Sequence, residues 1–142
     1  LVYSGLSRSA SGVLSPVAVR LKALHAPTIE AMHKFRGFSQ DMQRYFINRD
    51  FSAFAATLNS LWDVERKIFL NSNRRIDEII AEGKKRGAIS GLVAGAGKGG
   101  FIYFICPDAG TKKRAAKALE AIGAKEYPFS FTDEGSKIIF SG

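Results

Sequence analysis

GLVAGAGKGGFIYFICP, residues 91–107, decides how this chain is read. Five glycines fall within the ten positions 91–100, and an apolar block, Phe101 to Cys106, follows directly. Ala88 to Ala94 reads as a strand, the glycines as a loop, and Phe101 to Cys106 as a second strand. The second strand is apolar on both faces, which predicts a central place in a sheet.

Glycine-rich loops of this kind commonly hold phosphate, and three designs can be compared. The P-loop needs GxxxxGK followed by Ser or Thr. Gly97-Lys98 is present, but Gly91 stands one residue too early and Gly99 takes the hydroxyl position, so no magnesium ligand is supplied. The dinucleotide fingerprint GxGxxG is met in form by Gly95, Gly97 and Gly100. Its mechanism requires a helix to start at the loop, whereas here a strand former follows. The third design is strand, glycine loop, strand, in which backbone approaches a ligand closely and presents N–H groups to it. The sequence fits it without strain. A glycine-rich hairpin with no ligand fits the spacing as well.

Reading outward from the loop, Val2 to Ser4 predicts a short strand and GLSRSASG a turn. Ser9 is a candidate cap for a short helix running toward Lys22, complicated by Pro16. Pro27 suits the first turn of a long helix carrying Ile29, Met32, Phe35, Met42, Tyr45 and Phe46, weakened in its middle by Gly37. Asp50 caps a helix whose stripe is Phe51, Phe54, Ala55, Leu58, Leu61, Trp62, Ile68 and Phe69. Trp62 and the phenylalanines read as core. Asn73 caps a helix with Ile76, Ile79 and Ile80, ended by basic residues and Gly87.

Beyond residue 107, Asp108 or Thr111 caps a helix through Leu119 and Ile122, stopped by Gly123. Tyr127, Phe129 and Phe131 alternate, and Pro128 marks that strand as an edge. Asp133-Glu134-Gly135 is a turn before a last strand, Lys137 to Phe140. Helices and strands are thus segregated. The fold class expected is α+β, a ferredoxin-like (split βαβ) antiparallel sheet with helices packed on one face.

The chain has 142 residues, 46% of them hydrophobic, which suits a single domain, 1–142, with its own core. The apolar block after the loop is far shorter than the roughly 20 residues a spanning helix needs, so no membrane association is expected. The opening residues lack a secretory leader, and the lone Cys106 excludes an internal disulfide; both are consistent with a cytoplasmic protein. The chain opens on Leu1 and directly on a strand, as a piece cut from something longer would. The net charge of +8 is spread over helix ends and outer faces and reads as solvated surface. His25 and His33 have no acidic or cysteine partners at metal-binding spacing, so no metal site is expected. Cys106 within an apolar strand reads as packing.

The loop resembles the third motif of the GHMP kinases, the superfamily of galactokinase, homoserine kinase, mevalonate kinase and phosphomevalonate kinase. There it reads GAGGGGF before an apolar strand. Gly95, Ala96, Gly97, Gly99, Gly100 and Phe101 match, and Lys98 replaces a glycine. LVYSGLSRSAS resembles a strand-and-turn segment of the sugar-kinase branch, particularly the heptose-phosphate kinases. LNSLWDVERKI and FSFTDEGSKIIF resemble two further segments of it. The resemblance covers nearly the whole chain, as the C-terminal half of such a kinase. It implies a substrate-side domain of an ATP-dependent kinase acting on a sugar or sugar phosphate. ATP and Mg would be held mainly by an N-terminal domain absent from this chain, with none expected on the chain alone. That N-terminal domain is the implied partner, and the isolated chain is expected to be inactive and to expose an apolar docking surface. It supplies no catalytic residue.

The residues expected to meet substrate or phosphate are Gly95, Ala96, Gly97, Lys98, Gly99 and Gly100. Lys98 could add a cation beside phosphate, point to solvent, or block close approach. Ser7 and Arg8 form a second candidate anion site at a helix start, with simple capping by Ser7 or Ser9 as the alternative. Asp63, Glu65, Arg66 and Lys67 read as a solvated helix face. Two other functions fit the composition. One is a stand-alone ligand-binding or dimerisation module, including a homodimer formed through a bare docking face. The other is an RNA-binding sheet, for which the usual basic-Gly-aromatic signature is missing.

Overall fold

The computed structural model describes residues 1–137. Four strands and five helices follow in the order β1 (Val2–Tyr3), α1 (Ser11–Lys22), α2 (Ala26–Ile47), α3 (Phe51–Ile68), α4 (Arg74–Lys85), β2 (Ser90–Val93), β3 (Phe101–Ile105), α5 (Ala109–Ala121) and β4 (Lys125–Glu126). The sheet order is β2-β3-β1-β4, and every neighbouring pair is antiparallel. This is the ferredoxin-like layout expected from the sequence, with α1–α4 as the first crossover and α5 as the second. β3 is internal, as its apolar run predicts.

Local signals place most helix ends. Asp50 accepts from the Ala53 amide at 3.0 Å, Asn73 from Ile76 at 3.0 Å and Asp108 from Thr111 at 2.7 Å. Each cap satisfies an otherwise orphaned N–H of a first turn. Pro27 lies in the first turn of α2, and Gly87 and Gly123, both at positive φ, follow the ends of α4 and α5.

The core gathers Val2, Trp62, Ile76, Ile79, Ile80, Val93, Ile102 and Leu119 between the sheet, α3, α4 and α5. Burial of such side chains is the main favourable term in folding, roughly 1.5–3 kcal/mol for each large aliphatic or aromatic one. Phe104 joins this core by an unusual fit. Its ring lies where a β-carbon of Gly83 in α4 would be, and 2.9 Å from where one on Gly91 in β2 would be. A glycine in a helix interior weakens it by about 1 kcal/mol relative to alanine. Here the absent side chain is what lets α4 approach the sheet over that ring.

Five expectations are corrected or bounded. α1 runs unbroken through Pro16. Its N-cap is Ala10 rather than Ser9, because the Ser9 hydroxyl pairs with that of Ser11 at 2.7 Å instead of a helix amide. The edge strand is Lys125–Glu126, not Tyr127–Phe131: the Tyr127 amide still bonds Leu1 O at 2.9 Å, and Pro128 then has no N–H to continue. Phe51 begins the α3 stripe but stays 52% exposed, packing edge-on against Phe46 across the α2–α3 turn. The last predicted strand, 137–140, lies outside the described residues apart from Lys137.

Candidate phosphate-binding site

The glycine loop, residues 94–100, bridges β2 and β3 and is pinned at two alternate residues. At Lys98 the amide donates to Asn71 O at 2.6 Å, and the carbonyl accepts from Asn73 Nδ2 at 3.0 Å. At Gly100 the amide donates to Leu6 O at 2.7 Å, and the carbonyl accepts from the Ser4 amide at 2.9 Å. Both main-chain groups of both residues are therefore satisfied inside the protein. Among the described residues, the amides of Gly95, Ala96, Gly97 and Gly99 have no protein acceptor. Gly99 is buried, while Gly95 is exposed and Ala96 and Gly97 are half-buried, so these last three are the ones within reach of water or an anion.

The glycines divide by purpose. A β-carbon on Gly97 would lie 2.5 Å from Asn71 O, and one on Gly99 would lie 2.8 Å from Leu6 O. These two are glycine so that the loop can seat against its own protein. A β-carbon on Gly95 or Gly100 would meet nothing within 4 Å. Their faces are open, and their φ values of 71° and 76° are what call for glycine.

The two candidate sites predicted separately meet in space. Leu6, which accepts from Gly100, runs directly into Ser7 and Arg8. Both of those residues are exposed, and neither caps a helix. Among the described residues, Arg8 and Lys98 have no carboxylate within ion-pair distance. The loop amides and the Lys98 ammonium, with the Ser7 hydroxyl and Arg8 guanidinium next along the chain from Leu6, are donor types suited to an anion.

Sequence reading missed the segment that holds the loop. Asn71 is buried, donates through Nδ2 to Glu65 Oε2 at 3.5 Å, and leaves its Oδ1 without a partner. Glu65 was expected on a solvated face, but it is turned inward. Burial pushes its carboxyl above the usual range, and the Asn71 hydrogen bond opposes that shift. Its neighbours Asp63 and Arg66 do form an exposed ion pair. The available signal was LNSN after α3, two amides flanking a serine where a helix has just ended. Its partner in the loop is too distant in sequence for pattern reading to find.

Two other features stand beside this loop in the fold. A groove of about 560 Å³ opens at the far end of β3, between α5 and the Leu1–Val2 and Tyr127–Phe129 segments. It is mainly apolar, and it includes Cys106, whose thiol is pushed up by burial. On the face of the sheet away from α4 and α5, Tyr3, Phe101 and Tyr127 pack against one another with tilted or edge-on rings. Among the described residues no group of three metal-binding side chains is found, and no helix is long and apolar enough to cross a membrane.

Comparison with known proteins bears on family and fold. The family model described as GHMP kinases C terminal matches residues 42–125. The chain is 33% identical over 111 residues to the D-glycero-alpha-D-manno-heptose 7-phosphate kinase of Campylobacter jejuni, covering 78% of this chain and 32% of that protein. It is 22% identical to the L-fucokinase/L-fucose-1-P guanylyltransferase of Bacteroides fragilis, covering 84% of this chain and 12% of that protein. The chain thus spans a third or less of these relatives. In fold it is similar to L. major mevalonate kinase, solved in complex with R-mevalonate, with a TM-score of 0.78 at 18% identity, covering 84% of this chain and 36% of that one. A Lin0012 protein from Listeria innocua gives a TM-score of 0.82 at 13% identity, covering 91% of this chain and 38% of that one.

Proposed function

The chain belongs to the GHMP kinase C-terminal family, and from that premise we propose that it is the substrate-side domain of an ATP-dependent kinase for a sugar or sugar phosphate. Kinases of this family use ATP, and a C-terminal domain of this kind implies an N-terminal domain that completes the enzyme. The observation that carries the reading is the pinned loop, with free amides at Gly95, Ala96 and Gly97, held at Gly100 by Leu6, the residue before Ser7 and Arg8. The heptose 7-phosphate kinase and fucokinase relatives favour a sugar over other acceptors.

Phosphoryl transfer is mostly positioning and charge neutralisation. This domain's part is to bring fixed N–H donors and cations to a phosphate without reorganising during reaction. The two pins keep the loop rigid, so little conformational freedom is lost on binding. The loop offers no magnesium ligand: its donors are amides, a hydroxyl, an ammonium and a guanidinium. The metal of such a reaction falls to the N-terminal domain, and so do the catalytic acids.

The test is an ATP-consumption assay on the whole protein against a panel of neutral sugars and sugar phosphates, run beside the 142-residue chain alone. Turnover with one class and none from the chain alone is expected. Turnover by the chain alone would overturn the division of labour. A whole protein inert to every sugar would overturn the substrate class.

A further inference from the structure

Lys98 has φ 61°, in the left-handed region. A residue with a β-carbon is held there at a cost that glycine does not carry. Three other non-glycine residues share the conformation: Leu24, Arg49 and Leu70. Each follows the C-cap of a helix (α1, α2 and α3), where a left-handed residue ends the helix. Lys98 ends no helix. It sits in a loop whose neighbours are glycines, where another glycine would be unstrained.

The conformation is imposed from outside, by the Asn71 carbonyl on its amide and the Asn73 side chain on its carbonyl. Strain of this kind persists only where the surroundings over-determine it, and it gathers at functional positions. What lysine adds over glycine is a long stem and an ammonium, and no carboxylate among the described residues pairs with it. The cation stands in the same loop as the free amides of Gly95–Gly97.

We infer that Lys98 is a specificity-determining residue that recognises a phosphate group on the ligand of this loop, held in a strained conformation for that purpose. This rests on reading the loop as a phosphate clamp. The phosphate can come from the nucleotide or from a phosphorylated acceptor; the chemistry read by the ammonium is the same.

The test uses the whole kinase that contains this chain, at low salt, titrated with hexose 6-phosphate in one arm and a non-hydrolysable ATP analogue in the other. Amide signals of Gly95–Gly97 report binding, and thermal unfolding reports stability. Lys98→Gly is expected to weaken one probe about fivefold or more while melting at or above the wild-type midpoint. Lys98→Arg is expected to keep binding within about twofold. The arm that weakens identifies the source of the phosphate. Equal binding by wild type and Lys98→Gly overturns the inference and leaves the clamp standing. Loss of binding in step with a lower midpoint overturns it in favour of a structural lysine. If neither probe moves the loop amides of the wild type, the clamp itself fails, and the inference with it.

Discussion

Gly95 and Gly97 stand two residues apart, yet the same added methyl has very different consequences at each. Both have positive φ, so alanine is strained at either. At Gly95 the new atom meets nothing within 4 Å, and Gly95→Ala should cost about 1 kcal/mol. At Gly97 it meets Asn71 O at 2.5 Å and Asn71 Cβ at 2.6 Å. Gly97→Ala should cost about 3 kcal/mol or more, because the loop must leave its seat. Urea unfolding of the two variants checks the order, and equal losses would contradict the packing described. Glu65 gives a second residue-scale prediction. Burial holds its proton more tightly in the native state than in the unfolded chain. Its contribution is therefore full below the ordinary carboxylate range and fades as pH rises through the raised native value. Glu65→Gln should gain on the wild type at pH 7 but not at pH 4, by a fraction of 1 kcal/mol since water reaches the half-buried carboxyl. An offset that is the same at both pH values would show that burial does not govern this group.

Among the elements, α4 is the one whose start also governs the site. Asn73 caps it through Oδ1 and reaches the loop through Nδ2. The two roles can be separated. Asn73→Ala loses both and should cost about 1–2 kcal/mol. Asn73→Ser keeps a good cap but cannot reach the Lys98 carbonyl. It should stay near wild-type stability while the Lys98 amide exchanges faster with solvent, as hydrogen exchange would detect. Asn73 as a cap was legible in the sequence, because capping is a signal carried within four residues. The same holds for Asp50 and Asp108. The hold on Lys98 was not legible, since it joins positions that only the fold brings together. The β4 register was missed for a related reason: alternation in Tyr127–Phe131 is local, but pairing depends on β1, and Pro128 ends it. The glycine loop itself could be placed between two strands from sequence alone. Which of its glycines serve the protein could not, because that depends on Asn71 and Leu6.

At the scale of the molecule, stability is concentrated where the sheet meets α3, α4 and α5. Ile79 is fully buried there, and Ile79→Ala should cost about 3 kcal/mol. The α2–α3 tip is the contrast. Phe46 is 62% exposed and, among the described residues, its aromatic neighbours are the rings of Phe51 and Phe54, so Phe46→Ala should cost under about 1 kcal/mol. Calorimetry on the two variants measures that gradient directly. A tip as costly to truncate as the core would mean that the helical hairpin is a second centre of stability.

The fit of Phe104 against Gly83 and Gly91 bears on how this lineage can vary. Three positions from three elements share one volume, so none of them drifts independently. Alanine at 83 becomes tolerable only after the ring at 104 shrinks, and a smaller residue at 104 leaves a void until 83 or 91 grows into it. Substitution therefore has to proceed by paired steps in a set order. Related chains should show the three positions changing together, with the combined volume held constant while each residue differs.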